Sequence, residues 1–228
     1  MEYRKVVKAI FLERPNRFIA RVVINDSEEV VHVRNTGRCR ELLINGTEVI
    51  LEEAFGDKRK TKYSLIGAYK GSMLVNIDSQ IPNMVICEAI KNRQIEELDN
   101  ISFLRREVTF KKSRFDIYCE GSGRKVFIEV KGATLEVDKV AMFPDAPTER
   151  GTKHVLEMID AVEMGYEGFI IFLIQMKGVN YFKPNYEMDE KFSEGLKKAA
   201  SHGVKILAFD SIVEENGIVL GDRLNVML

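Results

Sequence analysis

The chain has 228 residues, in which 34 Lys plus Arg are balanced by 35 Asp plus Glu and 45% are hydrophobic. That is ample material for a core, and it excludes a disordered tail, a collagen-like fibre and, with no apolar run near the ~20 residues of a bilayer span, a membrane protein. A net charge of −1 gives no global reason to expect nucleic acid, so any basic surface must be local.

From Lys5 to about Asp78, short apolar runs are divided by turn signals. Phe18 to Ile24 and Val30 to Val33 flank Asn25-Asp26, and Val49 to Glu53 follows Asn45-Gly46. Tyr63 to Tyr69 and Met73 to Ile77 are split by Lys70-Gly71, and Arg40 to Ile44 reads as one short helical turn. Closely spaced strands with polar turns predict, for residues 1–80, a small β-barrel of the oligonucleotide-binding (OB) type.

Residues 81–228 read as an α/β domain. Pro82-Asn83 marks a helix start, with Asn83 capping Met84 to Arg93. Phe115 to Cys119 and Val126 to Lys131 are expected strands. Thr152 to Met164 carries Val155, Leu156, Ile159 and Val162 at helical spacing, with Gly165 placed as a C-terminal cap. Phe169 to Ile174 is an almost purely apolar strand, buried on both faces. Asp189 to Ala200 is a second helix, and Val204 to Phe209 another buried strand. The alternation predicts a mixed sheet covered by helices on both sides.

The usual catalytic signatures are missing. Cys39, Cys87 and Cys119 are scattered, as reduced thiols of a cytoplasmic protein would be. No basic segment followed by an apolar stretch opens the chain, so no secretory signal is expected. His32, His154 and His202 show no zinc-site spacing, and neither a G-x-S-x-G elbow nor a phosphate loop occurs. Chemistry must come from carboxylates and lysines.

Such a group lies in a hairpin. If Ser122-Gly123 forms a two-residue loop, Glu120 pairs with Lys125, Tyr118 with Phe127 and Asp116 with Glu129. Alternation then gives one apolar face of Phe115, Ile117, Cys119, Val126, Ile128 and Val130. The other face carries Asp116, Glu129 and Lys131. Opposed Cβ atoms lie about 4.5–5.5 Å apart, so the two carboxylates repel unless a cation such as Mg²⁺ or Mn²⁺ lies between them. Lys131 would orient or deprotonate a water, completing the parts for metal-assisted phosphodiester hydrolysis. The same residues would equally form a partly solvated cross-strand ion network.

Asp116 followed by Glu129-Val130-Lys131 resembles the D…(D/E)-x-K signature of the PD-(D/E)xK nuclease superfamily. More specifically, the chain resembles the sugar fermentation stimulation protein A (SfsA) family. The matching stretches are Asn35-Thr36-Gly37-Arg38, Arg59 to Tyr63, Asp78 to Asn83, Glu129 to Lys131 and Phe143 to Gly151. The resemblance implies DNA binding and an OB fold joined to a nuclease-like domain. Two departures stand out: Phe115 replaces the superfamily's Pro, and the literal Pro144-Asp145 falls after Glu129, where a turn before a helix is the better reading. The resemblance also implies a further acid on the preceding helix, for which Glu88 is best placed, although Glu88 reads equally as a solvated helix carboxylate. It suggests a role for Gln175 at the end of the apolar strand, although the Tyr that follows four residues later in some relatives is Val179 here.

Basic residues supply the nucleic-acid case. Lys58, Arg59, Lys60 and Lys62 form one run, and Arg105, Arg106, Lys111, Lys112 and Arg114 form a second that leads to Asp116. Arg150 and Lys153 cluster with Thr148 and His154 at a helix start, where free amides favour phosphate; His154 itself reads as a packing or capping residue. Arg38 closes the Asn35 to Arg38 motif. The expectation is a DNA-binding, metal-dependent nuclease. Asp116 and Glu129 hold Mg²⁺ or Mn²⁺, Lys131 assists the attacking water, and Glu88 and Gln175 support them. The barrel leans toward single strands. Alternatives are a non-catalytic DNA-binding regulator of sugar metabolism genes on a nuclease-like scaffold, and a hydrolase of a smaller phosphorylated molecule.

Overall fold

The computed structural model describes residues 1–35, 37–54 and 61–228. The N-terminal lobe comprises β1 (Val6–Asn16), β2 (Ile19–Ile24), β3 (Ser27–Val33), β4 (Glu48–Glu53), β5 (Tyr63–Lys70) and β6 (Met73–Asn76). They run in the order β3-β2-β1-β4-β5-β6, and a parallel β3–β5 pairing closes the first five into a barrel. Asn25 and Asp26 take φ of 48° and 63°, the left-handed pair that matches a hairpin to the twist of its strands. β1 is hidden in the sequence because Lys8, Glu13, Arg14 and Pro15 dilute its alternation, yet Ala9 and Phe11 are buried in the barrel. Between β3 and β4 the chain makes one helical turn, closed by the Leu43 amide on the Cys39 carbonyl at 2.9 Å.

The C-terminal lobe opens with α1 (Ile81–Lys91). Pro82 sits in its first turn, where a missing N–H leaves nothing unsatisfied. Asn83 is therefore inside the helix and does not cap it. The following elements are β7 (Phe103–Phe110), β8 (Ser113–Gly121), β9 (Arg124–Ala133), β10 (Leu135–Val137), β11 (Val140–Phe143), α2 (Glu149–Glu163), β12 (Glu167–Ile174), β13 (Tyr181–Pro184), α3 (Glu190–Ser201), β14 (Lys205–Glu214) and β15 (Gly217–Val226). The sheet order is β10-β11-β13-β15-β14-β12-β9-β8-β7. β12 is parallel to both β9 and β14, whereas β8 is antiparallel to β9.

Helices cover both faces. α1 packs on β9 and β15, while α2 packs on α3 and β12. Thr148 caps α2 by accepting from the Gly151 amide at 3.1 Å, and Asp189 caps α3 by accepting from Phe192 at 2.9 Å. Such caps contribute about 1 kcal/mol each. Under α1, Val85 and Ile86 bury against Ile128, Val130 and Ile171; under α2 and α3, Phe115, Phe172 and Phe192 form the other layer. Barrel residues Ile50 and Ile66 belong to the layer beneath α1, together with Tyr3 from the segment ahead of β1. Cys39, Cys87 and Cys119 are buried free thiols.

Gly132 shows how closely the sheet and α1 approach. A Cβ there would meet Gln175 Oε1 and lie 2.7 Å from Pro82 Cγ. Gly132→Ala should destabilise the fold by about 1–3 kcal/mol, the usual cost of overpacking. Thermal unfolding reads this directly, and an unchanged Tm would mean that the start of α1 yields freely.

Candidate metal centre where the hairpin ladder ends

Ser122 and Gly123 take φ of 51° and 76° and join β8 to β9 with Glu120 opposite Lys125, Tyr118 opposite Phe127 and Ile117 opposite Ile128. The ladder stops there, one pair before Asp116 and Glu129. Beyond that point the Asp116 carboxylate takes the main-chain bond itself: its Oδ2 accepts from the Val130 amide at 2.9 Å. Its Oδ1 accepts from Asn83 Nδ2 at 2.8 Å. The expected single apolar face also breaks at Asp116. Phe115 packs on Phe127 and the His154 ring, with centroids 5.2 and 6.3 Å apart, on the α2 side. Ile117 lies under α1 with Ile128. The strand turns over between them, and Asp116 is the residue at the crossing.

Glu129 faces α2 and is only 2% exposed, whereas Asp116 and Lys131 keep partial exposure. Its Oε1 accepts from Lys131 Nζ at 2.5 Å and lies 2.6 Å from His154 Nδ1. Its Oε2 is buried and has no hydrogen-bond partner among the described residues. Burial pushes the carboxyl up, but the Lys131 charge and the contacts with His154 and Lys131 outweigh it and hold Glu129 below its ordinary value. Asp116 moves the other way: burial, then the Glu129 charge, raises it above the usual aspartate range.

Two adjacent acids with one orphaned, buried oxygen make a donor set for a hard cation. Among the described residues no cluster of three or more His, Cys, Asp or Glu could hold a metal. The protein would contribute two carboxylates, which suits Mg²⁺, an ion that keeps several waters and takes phosphate oxygens beside one or two acids. Asp116 and Glu129 are the residues that would hold it.

Other predicted residues are placed differently. Glu88 is not at this centre: its half-exposed side chain meets the Met1 ammonium at 2.8 Å. Asn83 and Cys87 form the stripe of α1 facing Asp116, and residue 88 is turned ~100° farther round the helix. Gln175 is fully buried but bonds away from the carboxylates, donating to Asn76 Oδ1 at 3.0 Å and the Asp78 carbonyl at 3.1 Å. Asp145 accepts from the Arg38 amide at 3.1 Å, a tie between the lobes and not a metal ligand. Asn83 and His154 are the participants sequence reasoning missed. Both were visible as polar residues in the first two turns of the flanking helices, but only packing shows what each meets.

The second basic run reaches the centre in part. Lys112, Arg114, Arg150 and Lys153, with Ser113 and Glu149, line a cleft of about 530 Å³ that includes His154. Lys111 is diverted to Asp160 at 2.9 Å. Arg105 and Arg106 are exposed on β7, the edge strand. Lys62 is exposed over the Tyr63 ring, and Arg38 is exposed on the barrel side. Lys58, Arg59 and Lys60 lie outside the described residues. No described helix is long and apolar enough to cross a membrane.

Known proteins resemble the chain along its whole length. Residues 12–77 match a family described as the SfsA N-terminal OB domain, and residues 80–217 one described as the sugar fermentation stimulation protein RE domain. A sugar fermentation stimulation protein homolog of Alkaliphilus oremlandii is 57% identical, over 99% of this chain and 98% of that protein. One of Desulfitobacterium hafniense is 52% identical, over 100% and 99%. The solved structure of Pyrococcus furiosus SfsA in complex with Ca²⁺ is 32% identical, covers 100% of this chain and 98% of its own, and superposes with a TM-score of 0.93.

Proposed function

We propose that this chain, which belongs to the sugar fermentation stimulation protein family, is a DNA-binding phosphodiesterase that works with a divalent cation held by Asp116 and Glu129. The observation that carries this reading is the buried, unpartnered Glu129 Oε2 beside Asp116. That the Pyrococcus furiosus relative was solved with Ca²⁺, another oxygen-seeking divalent cation, supports it. When bound, the metal would polarise the phosphoryl oxygen and acidify a water.

The chain's own residues do the rest. Asn83 and the Val130 amide fix the Asp116 carboxylate, and His154 fixes Glu129. Lys131, 15% exposed in its side chain, stands where it can orient the attacking water and offset charge building on the phosphate. Lys112, Arg114, Arg150 and Lys153 hold the flanking backbone, partly through the amides that open α2. The test is cleavage of duplex and single-stranded DNA with Mn²⁺ and with EDTA. Metal-dependent cleavage that Lys131→Ala reduces at least tenfold supports hydrolysis; binding without cleavage in any metal would make the chain a regulator.

Arg114→Ala with Lys153→Ala should weaken DNA binding and flatten its salt dependence. The log–log slope should fall by about 0.9 for each duplex phosphate that the variant no longer neutralises. Titration from low to moderate salt reads this. An unchanged slope would make the cleft a solvated surface.

A further inference from the structure

Four arginines that the carboxylate centre does not use converge on the barrel. Arg14, Arg17, Arg38 and Arg40 line a cavity of about 730 Å³, between the end of β1, the loop after β3 and Ala146-Pro147. None of the four makes an ion pair among the described residues, and the acid that also lines the cavity, Glu13, is engaged by Arg21 at 3.0 Å. Arg14 is held firmly but not neutralised. Its guanidinium donates to the main-chain carbonyls of Arg17, Asn35, Gly37 and Arg38 at 2.6–3.0 Å. Its Nε is buried without a partner among the described residues.

Beside this cavity stands a half-exposed aromatic ring. Phe18, in the β1–β2 turn, is 52% exposed, with the Arg17 guanidinium 5.9 Å from its centroid. The turn is preset: Asn16 Oδ1 accepts from the Phe18 and Ile19 amides at 2.9 and 3.1 Å. A rigid exposed aromatic beside uncompensated guanidinium groups is the combination that stacks a base and anchors the adjoining phosphate, and the first loop of an OB barrel is a place where such contacts are made.

We propose that this cavity and Phe18 form a binding site for single-stranded DNA, with a backbone phosphate among Arg14, Arg17, Arg38 and Arg40 and a base on Phe18. The site rests on reading the chain as a nucleic-acid-binding protein, and not on hydrolysis. Duplex DNA would not offer an unstacked base to Phe18.

The experiment is fluorescence anisotropy of a labelled oligothymidylate with the full chain in EDTA, for wild type, Phe18→Ala and the double variant Arg17→Ala/Arg40→Ala. Because these side chains lie on the surface or the cavity rim, unchanged Tm values certify folding. Loss of the ring should weaken binding about 5- to 150-fold, the range for one base–aromatic stack. Loss of the two arginines should lower the salt slope by about 0.7 for each phosphate they neutralise. Variants that bind the oligomer as wild type does overturn the proposal. So does an oligomer that inorganic phosphate displaces at the same concentration as it displaces thymidine monophosphate, since that makes the pocket a small-anion site. Duplex DNA, titrated in parallel, separates the two readings. Duplex binding that persists while the single strand ignores both variants removes this site alone; no binding of either removes the DNA reading as well.

Discussion

Asp116→Asn should abolish the rise in Tm that Mn²⁺ or Mg²⁺ gives the wild type, while leaving the metal-free protein at least as stable. Both Asp116 oxygens accept hydrogen bonds, one from Val130 and one from Asn83. An asparagine keeps the first with its carbonyl oxygen. Asn83 then only needs to flip its amide to accept from the new NH₂ group. What disappears is a buried charge beside Glu129, the repulsion that helps to raise the Asp116 pKa. The pH dependence carries the same signature. A carboxyl with a raised folded pKa binds more protons folded than unfolded, so metal-free wild type should lose stability as pH rises from 3.8 through that raised value. The D116N protein should lack that fall. Thermal unfolding of both proteins from pH 3.5 to 8, with EDTA and with Mn²⁺, measures it. If D116N melts well below wild type in EDTA and neither responds to metal, the pair is structural and the regulator reading leads.

Glu129→Ala should behave in the opposite sense. Glu129 is the anion that Lys131 and His154 both meet, and removing it leaves their donors facing each other in a buried site. Uncompensated buried charge costs about 3–5 kcal/mol. Lys131 keeps some access to water, so the low end is expected. At about 2–4 °C per kcal/mol for a chain of this size, Tm should fall by about 6–12 °C. The stabilisation Glu129 supplies is present above its ordinary value of 4.5 and lost as pH falls through its lowered folded pKa; the gap between wild type and variant should therefore narrow in acid. Equal Tm values at pH 7 would contradict the ion cluster. Two acids of one centre, one dispensable to stability and one essential, would show that the site is built asymmetrically.

The sequence made the hairpin legible because several local rules agreed there. Ser122-Gly123 suited the turn, and Ile117 opposite Ile128 kept the register. What it could not show was the reversal at Asp116. A residue that exchanges its place in the ladder for a side-chain bond to Val130 leaves no trace in a pattern of period two. In sequence β7 looks like a charge run, because an edge strand carries exposed Arg105, Arg106 and Glu107 on a scaffold that only its neighbour reveals. The resemblance puts a further acid on the helix before β8 without giving that helix's phase, so Glu88 reads in the sequence equally as that acid and as a helix carboxylate at the surface, where it is half exposed. Once Asn83 is seen to face Asp116, residue 88 cannot. Arg14 is silent in the sequence, because an isolated arginine in a strand says nothing of the carbonyls that will surround it.

The apolar layer beneath α1 contains side chains from both lobes, Ile50 and Ile66 from the barrel with Ile81, Val85 and Ile128 from the rest. The barrel is thus not a module on a tether. Cut at residue 80, each fragment would present a greasy wound where the other had been, and melting of the whole chain should be a single cooperative event. A ligand that engages both lobes meets a fixed jaw instead of a closing hand. If that ligand is the DNA proposed above, adjustment to the span between the lobes must come from bending and fraying of the DNA, so that pliant or already opened DNA would be favoured over stiff, fully paired tracts.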